Sequence, residues 1–285
     1  MGHITIASGK GGTGKTTLST NLAAYIAKKS EFVVLADADV EEPNAALFLH
    51  PEVYRRSEAK KAHPKWDESA CTLCGDCAKH CHFNALLALP NEILIFSNLC
   101  HSCYACSELC PTGALPMVEA RIGEILEGKS HGVVLVEGRL DVGQEMATPL
   151  IVQTIEKAKE STNEKTIFLC DAPPGTSCSF VEAVKDSKYV VLVTEPTLFG
   201  LNDLRLAIET AKALNKPCGV VINRVGMGNS LIEEYCKEQG VPVIGRIPHL
   251  RDIAKYYAKG ELAYPHVPEF ADALKQIWTH LKEIS

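Results

Sequence analysis

The chain has 285 residues, with 29 Lys and Arg against 35 Asp and Glu and a formal net charge of −6. That length suits one large α/β domain and a smaller companion, and the acidic balance gives no polyanion-binding signature, which argues against nucleic acid as a partner. No apolar run approaches the ~18 residues of a membrane span, so membrane association is not expected and a cytoplasmic protein is.

The first element is a short apolar strand, His3 to Ser8, followed by a glycine-dense turn and an amphipathic run from Leu18 to Lys29. Gly9 to Thr16 fits G-x-x-x-x-G-K-[ST] in the strand, loop and helix context that a phosphate-binding loop requires. Glycines let backbone N–H groups wrap a phosphate, and the helix then starts beneath the anion with its positive end toward it. The expected cradle is Gly11, Gly12, Thr13, Gly14, Lys15, Thr16 and Thr17, with Lys15 on the β/γ-phosphates and the Thr16 hydroxyl on Mg²⁺. A glycine-rich turn with a surface lysine is the plainer alternative.

A phosphate cradle does not need the second lysine, Lys10. The run from Lys10 to Thr17 resembles the deviant Walker A motif of the MinD/ParA/Mrp-type ATPases, relatives of the nitrogenase iron protein. The resemblance implies an α/β P-loop NTPase with a mostly parallel sheet. It also implies that Lys10 reaches nucleotide in an opposite subunit, so an ATP-dependent homodimer, or a heterodimer with a paralogue, is expected.

The next strand, Phe32 to Ala36, ends in Asp37 and Asp39, two carboxylates at the end of a sheet where ligands bind. Asp37 to Asn44 resembles the family's switch I. On that resemblance Asp39 positions or activates the attacking water, and Asn44 contributes at the dimer face.

From about His50 the α/β pattern gives way to charge, Arg55 to Lys61, and then to cysteine. Of the twelve cysteines, eight form two runs of one spacing: Cys71, Cys74, Cys77, Cys81 and then Cys100, Cys103, Cys106, Cys110. The runs repeat at 29 residues and match the bacterial two-[4Fe–4S] ferredoxin pattern, in which the fourth cysteine of each run ligates the other cluster. The expected sets are Cys71, Cys74, Cys77 and Cys110 for one cluster, and Cys100, Cys103, Cys106 and Cys81 for the other. Two zinc sites are the alternative. His82 stands where such a run normally carries proline, which bears on the local turn, and a hairpin from Ala88 to Phe96 with Pro90 and Asn91 in its turn sits between the runs. Two cubanes in so small an insert read as an electron path or a cluster-exchange site more than as structural metal.

The α/β pattern resumes with a strand at Gly132 to Glu137, a helix from Gln144 to Lys159 and a buried strand from Thr166 to Cys170. This last strand is capped by Asp171, a Walker B-type carboxylate beside Mg²⁺. The Pro173-Pro174-Gly175 turn after it resembles switch II, with Gly175 letting the backbone approach the γ-phosphate. Cys178 invites comparison with the cluster ligand in the nitrogenase iron protein's corresponding loop, but with no second candidate beside it a partly buried, unligated thiol is expected. Cys170, Cys218 and Cys236 read as core.

Further strands at Tyr189 to Thr194, Cys218 to Ile222 and Val241 to Ile247 enclose a helix from Asn202 to Leu214. The Asn223-Arg224 corner and Pro248 resemble the family's adenine-recognition residues, which favours ATP over GTP; Asn223 as a simple turn former is the alternative. The tail, with Phe270, Leu274, Ile277, Trp278 and Leu281 at helical spacing and a polar face of mixed charge, is expected to cover the sheet.

The expected organisation is a P-loop ATPase domain of residues 1–55 and 120–285, interrupted by an α+β ferredoxin-like domain of residues 56–119. The resemblance implies an ATPase whose nucleotide state governs electron transfer or metallocofactor assembly, with a redox or carrier protein as partner. A positioning or scaffold ATPase with structural clusters is the other reading.

Overall fold

The computed structural model describes residues 2–29, 31–228 and 230–284. The chain begins with β1 (His3–Ala7), α1 (Lys15–Ala27), β2 (Val33–Asp37), α2 (Ala45–Leu49) and β3 (Glu52–Pro64). Then come α3 (Asp76–Lys79), β4 (Leu86–Ala88), β5 (Ile93–Ile95), α4 (Ala105–Glu108), β6 (Met117–Ser130) and β7 (Val133–Leu140). The remainder is α5 (Thr148–Glu160), β8 (Ile167–Asp171), α6 (Cys178–Val184), β9 (Tyr189–Thr194), α7 (Leu198–Ala213), β10 (Cys218–Val225), α8 (Leu231–Gln239), β11 (Val243–Pro248), α9 (Arg251–Ala258) and α10 (Pro268–Ile284). Two compact units result: one of Met1–Ser57, Ile125–Arg139 and Ile151–Ser285, the other of Glu58–Glu124 and Leu140–Leu150.

The larger unit is built on the parallel strands β11-β10-β9-β1-β8-β2-β7, in that order, and β6 and β3 follow β7 in the sheet order. Its central strands are buried along their whole length, so they read as unbroken apolar runs, as strands covered on both faces must. Ile4, Ile6, Leu18, Leu22 and Leu35 belong to the main core cluster. The tail helix α10 packs on β11 and α1 and adds Phe270, Leu274, Ile277, Trp278 and Leu281 to it. Each such side chain contributes about 1.5–3 kcal/mol by burial, so the apolar stripe of α10 is consumed by the core. No described helix is long and apolar enough to cross a membrane.

Two strands hidden in the sequence are β3 and β6. The charged stretch that breaks the apolar pattern is a 13-residue strand in which Ala59 and Lys61 turn inward while Glu58 and Lys60 stay exposed. At the last position of the sheet order, one face can remain solvated, so charge does not prevent a strand from forming. Other boundaries moved for local reasons. α5 starts at Thr148, not Gln144, with Pro149 in its first turn. α7 starts four residues before Asn202, because the Thr197 hydroxyl accepts from Gly200 N at 3.0 Å and caps it. The short helices α2, α8 and α9 carry no strong sequence signal.

The smaller unit has a cluster of buried Leu86, Ile93, Cys106 and Leu115, with Trp66, Cys71, Cys77 and Cys81 packed against it. Its hairpin begins at Leu86, two residues ahead of the expected start, and Leu89 N–H closes the turn on the Glu92 carbonyl at 2.8 Å.

Candidate functional site

Lys15 is the first residue of α1 and only 5% exposed. Gly14, at φ 96°, turns the loop into the helix; a Cβ there would lie 2.4 Å from the Asn223 amide nitrogen. That nitrogen donates to the Thr13 carbonyl at 2.8 Å, so the end of β10 grips the phosphate loop directly. A cavity of about 460 Å³ opens above it, lined on the loop side by Gly11, Gly12, Gly14, Lys15, Thr16 and Thr17.

Asp171 ends β8, next to β1, and is fully buried. Its Oδ2 accepts from the Ser19 hydroxyl at 3.0 Å, whereas Oδ1 is buried with no partner among the described residues. Burial raises its pKa, and Lys15 opposes the shift. A buried carboxylate oxygen left without a donor, beside the Thr16 hydroxyl, fits a hard divalent cation such as Mg²⁺. Asp39 lines the cavity, and burial pushes its pKa up to about 6 against the pull of Lys15.

Asp37 is placed differently from Asp39. It does not line the cavity; its carboxylate accepts from the backbone N–H groups of Asp39, Asn44 and Ala45 at 3.2, 3.1 and 2.9 Å, folding the switch I segment and starting α2. Asn44 does line the cavity, as does Glu42, which the sequence did not single out. Glu137 was also missed. In the sheet register Glu137, Asp37 and Asp171 lie level on adjacent strands, all fully buried. Glu137 is satisfied by Arg139 at 2.7 Å and by Ala46 N–H at 2.9 Å. Burial, with Asp171 and Glu137 close by, raises the Asp37 pKa well above the carboxylate range. The available signal was an apolar strand ending in an acid, present at three places.

Lys10 is outside the cavity lining and faces Asp203 at 4.0 Å, with a third of its side chain exposed. Gly175, at φ 93°, donates its N–H to the Ser8 carbonyl at 3.0 Å, and its neighbour Pro174 lines the cavity. At the far end Asn223, Arg224 and Pro248 line the wall, with Arg224 held by Glu195 at 2.7 Å. Leu250, Ile253 and Tyr257 supply an apolar face there that the sequence reading missed; the four-residue spacing of the last two is the only, weak, signal that could have found it. Cys178 is exposed at the start of α6, not partly buried, because α6 turns Phe180, Ala183 and Val184 inward instead. Cys170, Cys218 and Cys236 are buried.

In the smaller unit, Cys71, Cys74, Cys77 and Cys110 line one cavity and Cys81, Cys100, Cys103 and Cys106 another. Among the described residues no three His, Cys, Asp or Glu side chains close on a single ion. The backbone repeats with the cysteines. Left-handed φ occurs at Leu73, Gly75 and Asn84 in the first run and at Ser102, Tyr104 and Gly113, each 29 residues on, in the second. These turns aim N–H groups at sulfur: Leu73 to Cys71 and Ser102 to Cys100, both at 3.4 Å, and Ala85 to Cys81 at 3.3 Å. His82 and Pro111 occupy the same turn, so the missing proline leaves the backbone unchanged. Four thiols around each cavity, with N–H donors to offset thiolate charge, fit a [4Fe–4S] cluster.

Residues 4–263 match the CobQ/CobB/MinD/ParA nucleotide binding domain. An uncharacterized protein of Methanocaldococcus jannaschii is 30% identical over 90% of both chains. An iron-sulfur cluster carrier protein of Pyrococcus horikoshii is 25% identical over 86% of this chain and 73% of its own. Among solved structures, the cell division ATPase MinD of Pyrococcus furiosus aligns over 100% of both chains with a TM-score of 0.62 and 22% identity, a likeness of fold.

Proposed function

This chain belongs to the CobQ/CobB/MinD/ParA nucleotide-binding family, and from that premise we propose that it is an ATP-hydrolysing iron–sulfur protein. Its nucleotide state governs electron transfer or the delivery of a metallocofactor. The observation that carries this reading is the pairing in one chain of a phosphate loop beside the unpartnered Asp171 oxygen with two cavities of four cysteines each. The kinship to iron-sulfur cluster carrier proteins supports it.

In this reading residues 1–55 and 120–285 bind ATP, and the insert of residues 56–119 is ferredoxin-like. Lys15 and the loop N–H groups hold the phosphates, while Thr16 and Asp171 hold Mg²⁺, whose charge offsets that of the phosphates. Asp39 orients the attacking water as a carboxylate. Lys10, with its end near the surface, serves the nucleotide of a second subunit in an ATP-dependent dimer. Asn223 acts first by holding Thr13 in place, and Arg224, Pro248 and Tyr257 frame the base. The two cysteine sets hold [4Fe–4S] clusters, which supply one-electron chemistry when bound, and the client is a redox or carrier protein in a reducing, cytoplasmic setting.

The test is a redox titration of the anaerobically prepared chain with and without a non-hydrolysable ATP analogue. A cluster potential that moves with nucleotide is the expected result. Potentials that ignore nucleotide overturn the coupling and favour a scaffold ATPase with structural clusters.

A further inference from the structure

Lys61 on β3 is a buried cation, 7% exposed, within the smaller unit. Its Nζ donates to the Ser97 carbonyl at 2.9 Å and faces the Cys100 carbonyl at 3.5 Å and Met146 Sδ at 3.9 Å. Three acceptors and no donor meet this nitrogen, an arrangement that uses all three protons of an ammonium and leaves no place for the lone pair of an amine. Burial pulls its pKa below the ordinary lysine value, while Cys100 and Glu145 act the other way. Among the described residues no carboxylate forms an ion pair with it. A buried charge of this kind is costly unless something nearby gains from it.

The 29-residue repeat shows what it serves. Ser97 and Cys100 correspond to Glu68 and Cys71, and there the chain is open: Glu68 is exposed and Cys71 half-buried. Cys100 and Cys106 are each only 8% exposed. Two equivalent cysteine loops therefore differ in burial, and the more buried one has a cation against the carbonyl of its first ligand. Reducing a cluster adds negative charge, which burial disfavours and an adjacent cation favours.

We infer that Lys61 is a positioning residue for electrons: it raises the reduction potential of the cluster at Cys81, Cys100, Cys103 and Cys106, offsetting the burial of that site. This rests on the two-cluster reading above. Lys61 touches the Cys100 backbone and acts through charge, so a variant that keeps the hydrogen bonds and loses the charge isolates the effect.

The experiment is a dithionite titration of the full chain, followed by electron paramagnetic resonance, for wild type, Lys61→Gln, Lys61→Met and Lys61→Arg at matched iron content. One midpoint potential is expected to fall in the Gln and Met variants by at least a tenfold change in the reduction equilibrium, about 59 mV for one electron, and to hold in the Arg variant. The fall should persist in a Cys74→Ala background, which spares the second cavity, and vanish with Cys103→Ala. Unmoved potentials in iron-loaded Lys61→Gln overturn the inference and leave the two-cluster reading standing. So does a failure of both neutral variants to take up iron, which would make Lys61 structural. A wild-type chain that takes up no iron defeats the two-cluster reading itself.

Discussion

Around the phosphate loop, Ile4, Leu18, Leu35, Phe270 and Trp278 are part of one continuous apolar core, and the loop is fixed by Asn223 on Thr13 and Ser19 on Asp171. Around the cysteines, the buried apolar cluster is Leu86, Ile93, Cys106 and Leu115, one of which is itself a proposed ligand. The first region has its ligand-binding geometry from packing and from these hydrogen bonds within the protein. The second is a pair of tight turns on a small core, and small metallodomains of this kind derive much of their folding free energy from the metal. The nucleotide site is therefore preformed, whereas on the proposed two-cluster reading the cysteine sites are completed by the clusters.

The largest expected effect separates the two regions chemically. Lys15→Ala should lower ATP hydrolysis about 10³-fold and leave iron content at the wild-type value, as measured by phosphate release and iron assay on one preparation. Loss of iron in that variant would break the comparison. Asp39→Asn should cost about 10²-fold. Because burial raises the Asp39 pKa to about 6, its carboxylate is protonated below that pH. The wild-type kcat/KM should accordingly fall as pH drops through about 6, and the Asn variant should lack that limb.

Chelating the iron sharpens the contrast next. Amides in residues 58–124 should lose protection from hydrogen exchange, while those of β1, α1 and β8 keep theirs. The smallest effect belongs to Asp37→Ala, which strands the N–H groups of Asp39, Asn44 and Ala45. A loss of about 1–3 kcal/mol in the unfolding of the larger unit is expected, read by denaturant titration with nucleotide absent.

The two regions also differ in how much the sequence disclosed. The phosphate loop and the cysteine runs were legible because their chemistry demands fixed residue types at fixed spacing, from Gly14 and Lys15 to the repeat beginning at Cys71 and Cys100. The strands of the parallel sheet were legible as apolar runs. β3 was not, because a half-solvated strand carries charge and gave the same signal as a linker. The division of labour between Asp37 and Asp39 was also hidden: two acids two residues apart look alike until the backbone shows one spent on N–H groups and the other beside Lys15. The left-handed turns at Leu73, Ser102 and Tyr104 were invisible for a related reason, since these residues are not ones that favour that conformation and the surrounding loop imposes it.

The most direct test of the account is the composition of the chain purified under anaerobic conditions, with iron, acid-labile sulfide and bound adenine nucleotide measured on the same sample. About eight irons, about eight sulfides and about one nucleotide per chain are expected. Iron far below that figure, zinc in its place, or no measurable affinity for ATP would contradict it.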